Sequence, residues 1–100
     1  MKTLIVDDDR ISLEILSEIC MDSPYVNVVG KFTDPEEAWT FAEDNYIEFA
    51  LLDVKMPKLS GIDLGKRIRR IYPGCVLIYV TAYQEPCAEA IHKKADFLYT

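Results

Sequence analysis

Short apolar runs alternate with helically spaced apolar positions along the chain. Thr3 to Val6 is an apolar, β-prone run that stops at Asp7-Asp8-Asp9. From Arg10 to Cys20, Ile11, Ile15 and Ile19 fall at i, i+4 and i+8, with Leu16 and Cys20 widening the stripe. That spacing predicts an amphipathic helix with Ser12, Glu14, Ser17 and Glu18 largely on the opposite side. Asp8 or Asp9 is suited to cap it, because a short acid accepts from the first free N–H groups and favours the positive end of the dipole. Asp22-Ser23-Pro24 breaks the helix, and Val26 to Phe32 reads as a second strand. Thr33-Asp34-Pro35-Glu36-Glu37 starts a second helix with a cap, a first-turn proline and acids. It runs through Ala38, Trp39, Phe41 and Ala42 to about Asn45, its aromatics directed to a core.

Phe49 to Leu52 is the next apolar run, ended by Asp53. After the Met56-Pro57 loop, Ser60 caps a helix with Ile62, Leu64, Ile68 and Ile71 at helical spacing. Its basic residues Lys66, Arg67, Arg69 and Arg70 read as a solvated face with cations near the helix C-terminus. Pro73-Gly74 turns the chain into a fourth strand, Cys75 to Val80, ending at Thr81-Ala82. A short, weak helix at 88–94 and a fifth strand, Ala95 to Tyr99, follow. Strands with continuous apolar runs that alternate with helices imply an α/β fold: a parallel sheet, covered on both faces and wound by right-handed crossovers. The helix expected after the fifth strand is missing from this sequence.

Composition narrows the partners. One hundred residues make one domain, 1–100, and half of them are hydrophobic. Seventeen acids against 11 bases give a net charge of -6, which argues against direct nucleic-acid contact and suits a cation-holding protein. Cys20, Cys75 and Cys87 are odd in number and far apart, so reduced, mostly buried thiols in the cytoplasm are expected, not a disulfide framework or a zinc site. The apolar segment in MKTLIV is too short for a signal peptide or a membrane span.

In such a sheet the C-terminal strand ends share one edge. Asp7, Asp8, Asp53 and Thr81 converge there if the first, third and fourth strands are neighbours, as at a topological switch point. Alone, Asp53 reads as a strand terminator. Together, three carboxylates without a basic partner repel one another, and a hard divalent cation resolves the repulsion. Mg²⁺ takes a few carboxylate oxygens and completes its shell with water and phosphate oxygens; Mn²⁺ is the alternative. The Thr81 hydroxyl and backbone N–H groups nearby, that of Ala82 among them, suit a phosphoryl group. A strand-end carboxylate can also act as a nucleophile and form an acyl phosphate.

These segments carry a resemblance to the receiver domains of two-component response regulators, over the whole chain. LIVDDDR resembles the family's acidic opening. LLDVKMPKLSGIDL resembles its phosphorylation segment, with the proline four residues past the acid and the glycine eight past it. VTAY resembles the switch segment, and KADFLYT the run that leads to a nearly invariant lysine. The resemblance implies a flavodoxin-like, doubly wound five-stranded sheet of order 2-1-3-4-5. It implies Asp53 as phosphoacceptor, with Asp7, Asp8, Asp53 and the Lys55 backbone carbonyl on Mg²⁺, and Thr81 as switch hydroxyl. It implies a sensor histidine kinase or phosphotransfer protein as partner, and a role as a phosphorylated switch in place of a turnover enzyme.

The end of the chain departs from the family. One alignment puts the phosphate-binding lysine immediately after Thr100, and another puts Thr100 itself at that position. The aromatic switch partner falls correspondingly at Leu98 or at Phe97. Any output domain is expected beyond Thr100. Without the last helix, exposed apolar sheet surface is expected to favour self-association. Two rival readings follow: a phosphorylation-independent binding or oligomerisation module, and a small Mg²⁺-dependent phosphatase with an Asp nucleophile. The latter needs a general acid two residues past the nucleophile, where this chain has Lys55.

Overall fold

Each turn signal in the sequence ends or begins an element. A computed structural model describes residues 1–80 and the backbone of Phe97–Tyr99. In chain order the elements are β1 (Lys2–Val6), α1 (Arg10–Met21), β2 (Asn27–Phe32), α2 (Pro35–Asp44), β3 (Phe49–Asp53), α3 (Gly61–Ile71), β4 (Val76–Val80) and β5 (Phe97–Tyr99). The strands form one parallel sheet in the order β2-β1-β3-β4-β5, the order the resemblance implies. The sequence order reverses between β1 and β3, which makes that junction the switch point. The helix expected at 88–94 lies outside the described residues.

The three helices among the described residues are capped by the residues that local chemistry favours. Asp9 accepts from the Ile11 N–H at the start of α1. Asp34 does the same for Glu36, with Pro35 in the first turn of α2. Ser60 accepts from Asp63 at the start of α3, and Arg69 and Arg70 sit in its last turn. Arg67 reaches across to Glu36 at 3.7 Å and lies 5.7 Å from the Trp39 ring centroid, so part of the basic cluster ties α3 to α2.

Strand side chains alternate between the two sheet faces. Leu4, Val6, Ala50, Leu52, Leu77 and Tyr79 belong to the larger core, together with Ala38 and Ala42 of α2 and Leu64 and Ile68 of α3. Ile5 and Leu51 belong to a smaller core with Leu13, Leu16 and Cys20 of α1. Phe49, Ile78 and Val80 pack against this second cluster and are only partly buried. Cys20 and Cys75 are buried, as expected, and Cys87 lies outside the described residues. Among the described residues, no helix is long and apolar enough to cross a membrane.

The phase of α1 corrects the sequence reading. Ile11, Ile15 and Ile19 are 71%, 52% and 56% exposed, and the buried positions are Leu13, Leu16, Ser17 and Cys20. The helix carries two apolar stripes, and the i, i+4, i+8 run is the more conspicuous. Leu13, Leu16 and Cys20, at i, i+3 and i+7, are the ones turned to Ile5 and Leu51. Ser17, read from the sequence as opposite the apolar stripe, shares that buried side. Ile71, placed with the apolar positions of α3, is likewise 42% exposed.

Candidate functional site

Strand register brings the acids together. Val6 pairs with Leu52, so Asp7 and Asp53 leave the sheet side by side. Asp7 is fixed at its backbone by an N–H bond to the Phe32 carbonyl of β2, 3.1 Å long. Its carboxylate accepts from the Asp9 N–H at 2.9 Å, which holds the side chain over the sheet edge. Asp9 itself turns away from this edge. It caps α1 and accepts from the Ser12 hydroxyl at 2.8 Å. Of the three consecutive acids, one therefore serves the helix and two serve the edge.

Asp7, Asp8 and Asp53 each offer a carboxylate oxygen, and these oxygens lie within 4.8 Å of one another. Asp7 is buried, Asp53 half-buried and Asp8 exposed, so the cluster opens to solvent on one side. Burial pushes the Asp53 carboxyl up first. The side-chain hydrogen bond with Asp8 and the charges of Asp7 and Asp8 then raise it to about 7, against an opposing hydrogen bond from the Lys55 backbone N–H. Burial also raises Asp7, partly offset by the Asp9 N–H bond. Burial and the neighbouring carboxylates thus both favour the neutral form of Asp53. A hard divalent cation would offset the repulsion among these carboxylates, and an all-oxygen donor set open to water matches what Mg²⁺ prefers.

The loop after Asp53 is held at several points. The Val54 N–H bonds the Val80 carbonyl at 3.1 Å, and the Gly61 N–H bonds the Val54 carbonyl at 3.0 Å. Met56 and Leu59 are buried in the larger core. Between them Lys58 takes a left-handed φ of 73°, which lets the loop reverse after Pro57. The Leu59 N–H closes back on the Pro57 carbonyl at 2.8 Å. Met56 and Leu59 were not singled out from sequence as anchors. The signal was there: Met56 and Leu59 are apolar residues three apart, set among Lys55, Lys58 and Ser60.

Of the residues expected at the site, the structure brings Asp7, Asp8 and Asp53 together and sets the Lys55 backbone beside them. Thr81 and Ala82 lie outside the described residues, as do the two alternatives for the lysine position. Asp53 pairs in register with Val80, so β4 ends level with the acid that ends β3.

Acids at the carboxyl edge of a 2-1-3-4-5 parallel sheet, gathered at its switch point, define a flavodoxin-like α/β domain with an acidic cluster of a kind that could hold a metal ion. The model of the response regulator receiver domain matches residues 3–97, and the chain belongs to that family. It is 27% identical over 95 residues to the transcriptional regulatory protein YpdB of Escherichia coli K12, covering 95% of this chain and 39% of that protein. It is 33% identical over 84 residues to protein-glutamate methylesterase/protein-glutamine glutaminase 2 of Vibrio vulnificus, covering 84% of this chain and 24% of that protein. The chain thus spans well under half the length of either relative.

Solved structures agree. The response regulatory domain of protein mrkE from Klebsiella pneumoniae superposes with a TM-score of 0.86 at 26% identity, covering 99% of this chain and 81% of that one. A chain of the CheX–CheY–BeF3–Mg²⁺ complex from Borrelia burgdorferi gives 0.83 at 26% identity, over 100% of this chain and 78% of that one.

Proposed function

We propose that the chain accepts a phosphoryl group on Asp53 in a Mg²⁺-dependent transfer from a sensor histidine kinase or phosphotransfer protein in the cytoplasm. The observation that carries this reading is the meeting of the Asp7, Asp8 and Asp53 oxygens within 4.8 Å at the sheet edge. Asp7, Asp8, Asp53 and the Lys55 backbone carbonyl would hold the ion. Bound there, Mg²⁺ supplies positive charge to the carboxylates and to the oxygens of an incoming phosphoryl group.

The chain's own residues do the rest. Asp53, kept unprotonated, presents a carboxylate oxygen as nucleophile at the open side of the cluster. The Lys55 N–H orients that carboxylate. Buried Asp7, braced by the Asp9 N–H, fixes one wall of the site, and Asp8 forms its solvent-facing wall. The Thr81 hydroxyl and the Ala82 N–H serve as phosphoryl contacts in this reading. Phosphorylation then biases a switch at the β4–β5 end of the sheet. The product is a modified protein, so the chain acts as a signalling switch and not as a turnover enzyme.

Beryllofluoride, an acyl-phosphate mimic, tests the reading. With Mg²⁺ it should shift the amide resonances of Asp53 to Lys55 in the wild type and leave Asp53→Asn unchanged. A silent wild type, or a response that survives in Asp53→Asn, would instead favour the phosphorylation-independent module. Lys55, two positions past Asp53, offers no general acid for a phosphatase. Turnover of a simple phosphate ester would restore that alternative.

A further inference from the structure

The start of α3 rests on the peptide of Asp53 itself. A Cβ added at Gly61 would overlap the Asp53 carbonyl oxygen, lie 2.7 Å from the Asp53 carbonyl carbon and 3.2 Å from the Val54 Cα. Every one of these neighbours is backbone, so no side chain can swing aside to make room. No glycine here has a positive φ, so this position needs glycine for space and not for backbone freedom. The other glycines near α3 differ. At Gly65 the nearest atoms are the Tyr79 hydroxyl and ring, the far end of a side chain, and at Gly74 nothing lies within 4 Å.

The contact is reinforced from the same end. The Gly61 N–H bonds the Val54 carbonyl at 3.0 Å, closing the loop from 54 to 60 against the residue that follows the acid. The Ser60 side chain caps the same turn through the Asp63 N–H. Asp53, Val54 and the first turn of α3 therefore move as one piece. The Lys55 N–H that bonds the Asp53 carboxylate is the next link in that piece.

We infer that Gly61 is a positioning residue for Asp53: the missing Cβ lets α3 seat against the Asp53 carbonyl and sets where the carboxylate stands relative to Asp7 and Asp8. The inference rests on the reading of the three acids as a Mg²⁺ site. Any side chain at position 61 pushes the strand end off its seat and spreads the donor oxygens. Groups that orient metal ligands from behind typically change metal affinity by about 10- to 100-fold when altered.

The test is a Mg²⁺ titration by calorimetry of the full chain, paired with thermal melting, for wild type, Gly61→Ala, Gly65→Ala and Gly74→Ala. Gly61→Ala should fold and weaken Mg²⁺ binding by about tenfold or more. Gly65→Ala should lower the melting temperature and keep Mg²⁺ affinity, and Gly74→Ala should match the wild type in both. A role in packing alone would move melting but not affinity. Mg²⁺ affinity in Gly61→Ala within about twofold of wild type, well below the range for groups that orient metal ligands from behind, would overturn the inference. So would equal weakening in Gly65→Ala. A Gly61→Ala chain without helical circular dichroism would overturn it too, because the contact would then serve the core. The amide resonances of Asp53 and Val54 give a second measurement: they should differ between metal-free wild type and Gly61→Ala, and identical resonances would contradict the seating. A wild type that binds no Mg²⁺ would sink the reading of the site and this inference with it; a binding wild type with an unaffected Gly61→Ala would sink the inference only.

Discussion

Asp53 is held in a place that suits its chemistry and costs stability. In the metal-free folded chain it keeps its proton to about 7, against an ordinary value of 3.8. Between those values the folded state binds more protons than the unfolded state, so stability falls as pH rises. Asp7 is raised as well and acts in the same direction. The metal-free wild type should therefore lose melting temperature relative to Asp53→Asn from about pH 4 to about pH 7, and the difference should level off above that window. Melting curves of the two proteins in chelator check this, and subtracting them cancels the titration of acids remote from the site. A gap that closes as pH rises would contradict the assignment. Mg²⁺ binds the ionised form, so its affinity for the wild type should climb through the same pH window. At the start of α1, Asp9 should behave as a cap alone. Asp9→Ala should cost about 1 kcal/mol of stability by denaturant unfolding and leave Mg²⁺ affinity unchanged.

At the scale of elements, α1 separates what the sequence shows from what only packing decides. The turn signals, caps and helical period of α1 are all local, and they placed its ends within a residue or so. Its phase is not local. Two apolar stripes compete for the sheet, and the choice depends on how the chain leaves β1 and how Leu13, Leu16 and Cys20 meet Ile5 and Leu51. Mutation distinguishes the stripes. Leu16→Ala should cost about 2–5 kcal/mol in chemical denaturation, the usual range for a buried leucine. Ile15→Glu, on the exposed stripe, should change stability by no more than about 0.5 kcal/mol. The reverse ranking would restore the stripe first read from the sequence. The site shows the same division. Asp7, Asp8 and Asp53 are legible because strand ends in a parallel sheet share an edge. The anchoring of their loop is not, because the burial of Met56 and Leu59, the left-handed Lys58 and the space at Gly61 all depend on atoms distant in sequence.

At the scale of the whole molecule, among the described residues, β4 fills the two sheet faces unequally. Leu77 and Tyr79 are buried on the face covered by α2 and α3, while Ile78 and Val80 are only partly buried on the face covered by α1. Apolar side chains with one side still in contact with water gain less on folding, because the gain scales with area removed from water. Leu77→Ala should accordingly cost about 2–5 kcal/mol and Ile78→Ala distinctly less. Equal losses would mean that the α1 face is as well filled as the other. Partly buried Ile78 and Val80 would favour the self-association proposed from the sequence, which should appear in sedimentation as a mass that rises with concentration; a monomer throughout the range would argue against it.

The central claim is that Asp53 takes up a phosphoryl group with the help of a divalent cation. Intact-mass spectrometry after incubation with acetyl phosphate tests it most directly. The wild type with Mg²⁺ should gain the mass of one phosphoryl group, lose it again under alkaline hydroxylamine as an acyl phosphate does, and gain nothing when the metal is chelated. Asp53→Asn should gain nothing in any condition. An unmodified wild type, or a modification that persists without Mg²⁺ or in Asp53→Asn, would contradict the account.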